Sequence, residues 1–149
     1  MNNHLRFASA LVIVGGGILF GAQAYGDTCV VIGNRSIGTA HLSATDLKKA
    51  FTGRIKQWDN GAVVQTVIST KPASPEMTCL AQILSIDARS LLTHMQQEVF
   101  KGEMRRPVTV ASSAEVIAAV ARSAGGVGCI SAAAATKLPS SVVIIQITH

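Results

Sequence analysis

The chain has 149 residues, with 13 Lys and Arg against 8 Asp and Glu and a formal net charge of +5. That charge is diffuse, with no basic block longer than Arg105-Arg106, which favours small anions or anionic surfaces in general. One Trp, one Tyr and no interleaving of aromatic with basic residues leave nucleic-acid binding without support.

The N-terminus carries Arg6, an apolar run from Phe7 to Phe20 and then Ala22-Gln23-Ala24, a small-x-small pattern of the kind a signal peptidase reads. Residues 1–24 are therefore read as a cleavable secretory signal, which implies a periplasmic or secreted protein. The alternative is a membrane anchor, but the run is short of the roughly 20 residues that span a bilayer. No stable membrane span is expected after cleavage. The remaining residues, 25–149, suffice for one domain with a core and are too few for two.

Thr28 to Ile32 is a short apolar, β-branched run of the kind that forms a strand buried on both faces, and Asn34-Arg35-Ser36 follows it. Ser43 and Asp46 then open a helix in the manner of a capping box. Its apolar face is Leu47, Ala50 and Phe51, with Lys48 and Lys49 beside it, and Gly53 ends it. The chain passes Ile55 and Trp58, turns at Asp59-Asn60-Gly61, and enters a second strand from Val63 to Ile68.

Ser69-Thr70-Lys71 and the loop Pro72 to Pro75 lead to a helix capped by Ser74, with Met77, Leu80, Ala81 and Leu84 on one stripe. Ser85 is expected to start another, with Ala88, Leu91, Leu92, Met95 and Val99 inward and Gly102 as its stop. Pro107 to Val110 reads as a third strand. Ser112 and Glu115 form a second capping box before a helix through Val116, Ile117, Val120 and Ala121. Gly125-Gly126 closes it; Val127 to Ile130 and Val142 to Ile147 are the fourth and fifth strands.

Strands that alternate with helices and are apolar throughout predict an α/β fold, a mostly parallel sheet covered on both sides. In such sheets ligands sit at the carboxyl ends of the strands. Arg35, Ser36, Ser69, Thr70, Lys71, Ser74, Ser112 and Ser113 are the candidates there, offering hydroxyls, backbone N–H groups or positive charge to an oxyanion. Taken singly, each also reads as a helix cap or a solvated charge; only a shared edge makes them a site.

Cys29, Cys79 and Cys129 would enter an oxidising compartment, where one disulfide and one leftover thiol is the simplest arithmetic. Cys29 and Cys129 lie in strand-like runs and pair if those strands are neighbours; the alternative is three buried cysteines packed as small apolar residues. Their spacing is not that of a metal site, and His41, His94 and His149 are scattered singly. No Ser/His/Asp, Cys/His or paired-carboxylate arrangement stands out. Cys79, near a helix start, is the one thiol open to activation. No enzyme activity, cofactor or metal is expected.

The order Leu-Ser-x-x-Asp-Leu-x-x-x-Phe-x-Gly-x-Ile-x-x-Trp-x-x-Gly from Leu42 to Gly61 resembles a signature of the phosphate-type substrate-binding proteins of ABC transporters, which have the type II periplasmic binding protein fold. Phe100-Lys101-Gly102, Pro107, the Ser112/Ser113 cap with Glu115, and Gly125-Gly126-Val127-Gly128 resemble that family's second half in the same order. Phe51, Trp58 and Phe100, which match strongly, are expected to be packing residues.

The resemblance implies a non-catalytic protein that holds phosphate or a similar small oxyanion and delivers it to an ABC permease. Two departures stand against it. Family members close two lobes over the ligand, and this chain is long enough for about one. Where the family commonly places an arginine and a Ser-Gly-Thr around the anion, this chain has Ile68-Ser69-Thr70-Lys71-Pro72-Ala73-Ser74-Pro75, without the glycine. The alternative function is an interaction or sensor module of an envelope complex that keeps the fold without the ligand.

Overall fold

Local capping sets the helix starts. Ser43 Oγ accepts the Asp46 N–H at 3.0 Å and opens α1 (Ala44–Phe51), whose buried face is Leu47, Ala50 and Phe51. In the computed structural model, which describes residues 29–149, the chain before α1 forms β1 (Cys29–Asn34), a 3₁₀ turn (Arg35–Ile37) and β2 (His41–Ser43). The expected signal segment lies outside those residues. Gly53, with φ of 76°, closes α1 by the left-handed route expected of it.

After α1 come β3 (Gln65–Ser69), α2 (Pro75–Leu84), α3 (Ala88–Phe100) and β4 (Val108–Val110), then α4 (Ser113–Arg122), β5 (Gly126–Ser131) and β6 (Val142–Thr148). Ser74 caps α2 through the Met77 N–H, with Pro75 at the first helical position. Ser85 does not start the next helix as expected. It ends α2 with φ of 52°, its N–H turned back to the α2 carbonyls, and Asp87 caps α3 through the Ser90 N–H at 2.9 Å. That bond and a second one from the Ser90 hydroxyl stabilise the carboxylate and hold the Asp87 pKa below its ordinary value.

The six strands form one sheet in the order β2-β6-β1-β5-β3-β4. β3 is parallel to β4 and to β5, and β2 to β6, while β1 is antiparallel to both of its neighbours, so the sheet is mixed. An apolar run predicts burial on both faces but carries no sign of strand direction. The short edge strand β2, three residues long, was too brief to read as a period.

Alternation along each strand divides the core in two. Val31, Ile68, Val127, Cys129 and Ile145 face α1, α2 and α3, packing on Leu47, Phe51, Met77, Leu80, Leu91 and Met95. Ile32, Val67, Ile130 and Val142 face the other way onto Val116, Ala119 and Val120 of α4. The expected α/β fold, with helices on both sides, is therefore the observed one.

Trp58 is 5% exposed and lies in the first of these layers, as expected. Its indole N–H donates to the Gly125 carbonyl at 2.9 Å, and the Gly125 N–H donates to Ser36 Oγ at 2.8 Å. A side chain at Gly125 would bring Cβ to 1.9 Å from the Val63 carbonyl oxygen, which explains the glycine there. Phe100 does not pack as expected: it is 94% exposed. Five residues beyond the fully buried Met95, it stands roughly 140° round the helix from the inward stripe.

Candidate anion-binding site

The carboxyl ends of β3, β4 and β5 share one edge of the sheet. Ser69 is in register with Val110 of β4, and the chains that leave these strands run into the starts of α2 and α4. Of the candidate residues, Ser69, Thr70, Lys71, Ser74, Ser112 and Ser113 belong to this edge. Arg35 and Ser36 do not. Because β1 runs antiparallel, with Gly33 opposite Val127, its carboxyl end lies at the opposite edge, beside the beginning of β5. There Arg35 Nε donates to the Ser140 carbonyl at 2.8 Å and Ser36 holds the Gly125 turn, so both lock the fold far from the other six.

Most hydroxyls at the edge have internal partners. Ser69, 1% exposed, accepts the Lys71 N–H at 3.2 Å. Ser74 and Ser112 accept the Met77 and Glu115 N–H groups at 3.2 and 3.3 Å as helix caps, and the Glu115 carboxylate accepts the N–H of Ala111, one residue before the cap. Ser113 donates to Glu76 Oε1 at 2.8 Å and accepts the Ser131 N–H at 3.1 Å. Thr70 and Lys71 are exposed. The edge thus presents two helix N-termini, whose first-turn N–H groups lie outside the intrahelical ladder, together with one lysine and one threonine.

Glu76 and Ser131 are the site residues that sequence reasoning missed. Glu76 is 8% exposed, a buried carboxylate at the start of α2. The signal was present: Glu76, Leu80 and Leu84 are spaced by four, so the carboxylate falls on the stripe already read as inward. Its negative charge opposes the positive helix ends around it.

Beneath Glu76 lie the cysteines. The disulfide joins Cys29 to Cys79, with Cα atoms 5.9 Å apart, and not Cys29 to Cys129 as expected. The strands that carry Cys29 and Cys129 are indeed neighbours, but Cys29 is opposite Ser131 and Cys129 opposite Val31, two residues out of register. α2 crosses that face and brings Cys79 into the shorter reach. Cys79 is thus a disulfide sulfur and not an activated thiol.

The Cys129 thiol is buried, and burial first and the Glu76 charge second push its pKa up to about 12. The three sulfurs lie within 4.8 Å of one another, a clustering their even sequence spacing did not disclose. With two of them joined, the set offers a single thiol.

No protein-family model and no curated protein matches the sequence. Solved structures do. An ABC-type phosphate transport receptor from Vibrio cholerae is similar at 17% identity and a TM-score of 0.53, over 81% of this chain and 46% of the receptor. A protein described as a phosphate ABC transporter substrate-binding protein, from Clostridium perfringens and solved with bound phosphate, is similar at 17% identity and a TM-score of 0.59, over 81% of this chain and 45% of that one. PstS from Borrelia burgdorferi gives 16% and 0.59, over 82% and 47%. The chain therefore has the fold of phosphate-type ABC transporter substrate-binding proteins, over a span equal to about half of theirs.

Proposed function

We propose that this is a periplasmic or secreted, non-catalytic binding protein for phosphate or a similar small oxyanion, acting beside an ABC permease. The observation that carries the reading is the convergence of the α2 and α4 N-termini at one strand edge, tied by the Ser113–Glu76 hydrogen bond, in a fold shared with phosphate receptors. The anion would sit against the first-turn N–H groups, with Thr70 and Lys71 at the rim. With the opposite lobe of a two-lobed cleft not supplied by this span, affinity is modest unless a partner closes the site.

The test is the thermal midpoint of residues 25–149 with phosphate, sulfate, molybdate and chloride at matched ionic strength. A ligand at 100 times its Kd stabilises by about 2.7 kcal/mol, a shift of several degrees for a domain of this size. A shift selective for phosphate or molybdate, lost in Lys71→Ala and Thr70→Ala, supports the reading. Equal midpoints in all four salts reject it.

A second reading, a ligand-free interaction or sensor module of an envelope complex, is favoured by one specific observation. The buried Glu76 carboxylate lies at this edge and already takes the Ser113 O–H as its donor, while Ser69, Ser74 and Ser112 each accept a backbone N–H. Equal midpoints together with capture of a defined envelope protein would establish it. No helix among the described residues is long and apolar enough to cross a membrane.

A further inference from the structure

Cys79 stands between two other sulfurs. It is bonded to Cys29, and the Cys129 thiol lies 2.8 Å from its Sγ on the side of β5. The Cys129 thiol is thus beside the sulfur that thiol–disulfide exchange would have it attack. The two alternative bonding partners of Cys79 also differ in setting. Both are buried, Cys129 at 3% exposed in the centre of β5 and Cys29 at 7% at the start of β1, but Cys29 also lines a groove of about 620 Å³ with Ile83 of α2 and Ile145 and Ile147 of β6.

We propose that the three cysteines form an internal thiol–disulfide relay that carries the one free thiol from buried Cys129 to groove-facing Cys29, making Cys29 a site for mixed-disulfide formation or alkylation. The Cys129 thiolate attacks Sγ of Cys79. The Cys79–Cys129 bond forms, the Cys29–Cys79 bond breaks, and Cys29 leaves as a thiolate that takes up the proton Cys129 lost. Sulfur oxidation state is unchanged overall, so no outside oxidant or reductant is needed. Modification of the released Cys29 thiol then traps the new pairing.

The relay shifts the covalent anchor of α2 from the start of β1 to the centre of β5, one turn from Glu76 and its bond to Ser113. Burial and the Glu76 charge keep the Cys129 thiol protonated, so exchange is slow, on the minutes-to-hours scale of uncatalysed disulfide rearrangement.

The experiment is native-state labelling of the oxidised protein with iodoacetamide, followed by acid quench and disulfide mapping of peptides. The relay predicts label on Cys29 accompanied one-for-one by a Cys79–Cys129 bond. Cys129→Ser should retain the Cys29–Cys79 bond and lose Cys29 labelling by at least tenfold. Cys29→Ser, held in a glutathione redox buffer, should form Cys79–Cys129. Label confined to Cys129 with Cys29–Cys79 intact overturns the relay, as does a folded Cys29→Ser protein that keeps two free thiols. Absence of label over a day, with only the Cys29–Cys79 pairing recovered, also overturns it, and this result does not depend on whether either variant folds.

Discussion

The hydroxyl of Ser113 donates to Oε1 of Glu76 at 2.8 Å, so the first turn of α4 is tied to the first turn of α2 across the carboxyl ends of the parallel strands. Two positive helix ends meet there around one buried negative charge. The same bond therefore organises the candidate site and sets its main electrostatic opposition to an anion.

Glu76→Gln separates these two effects. The amide oxygen of glutamine can still accept from Ser113, while the charge is gone. One unit charge at about 6 Å in an effective dielectric of about 20 contributes roughly 3 kcal/mol, and solvent near the edge reduces that. Phosphate affinity measured by titration calorimetry should rise at least about tenfold in Glu76→Gln. Unchanged or weaker binding would show that the anion, if held at all, sits elsewhere.

Trp58 and Gly125 form the second pair on which the fold depends. Gly125→Ala places a methyl group against the Val63 carbonyl at a φ of 69°, a combination of overlap and left-handed strain that should cost about 3 kcal/mol in urea unfolding. Trp58→Phe preserves much of the packing but leaves the Gly125 carbonyl without its indole donor, for about 1–2 kcal/mol. Stability equal to wild type in both variants would remove the Trp58–Gly125 contact from the account of the signature.

Phe100 gives the opposite expectation. Fully solvated at the end of α3, it should be replaceable by Ser with a change in stability within about 0.5 kcal/mol, whereas Phe51→Ala, at 0% exposure, should cost about 3–5 kcal/mol. A Phe100→Ser protein as damaged as Phe51→Ala would restore the packing role that its place in the sequence pattern suggested.

These cases show what the sequence disclosed and where it stopped. Capping boxes at Ser43 and Ser112, the proline after Ser74, and the apolar stripes are local signals, and each element they define is present. Strand direction is not local. The run from Cys29 to Asn34 has the same composition whether it lies parallel or antiparallel, and that single unknown moved Arg35 and Ser36 to the far edge of the sheet. Cysteine pairing failed for a related reason: it depends on a two-residue register between β1 and β5 and on where α2 crosses them. The burial of Glu76 is legible in its spacing from Leu80 and Leu84, but a charged residue in a first helical turn reads equally well as a solvated complement to the helix dipole.

The Cys129 thiol makes stability depend on pH in a defined window. Its pKa is about 12 in the folded protein against an ordinary 9.0, so the unfolded chain gives up this proton first. Below pH 9 both states hold the proton and the contribution is constant. Above it the native state binds more protons than the unfolded one, and stability falls by up to about 1.4 kcal/mol per pH unit until the folded thiol itself ionises. Cys129→Ala removes this group without touching the Cys29–Cys79 bond. Urea unfolding at pH 8, 9 and 10, with disulfide pairing mapped at each pH, should show wild type losing stability faster than Cys129→Ala above pH 9 and in step with it below. Parallel curves across the whole range would mean that the thiol ionises as readily in the folded chain as in the unfolded one, and that Glu76 and burial exert no hold on it.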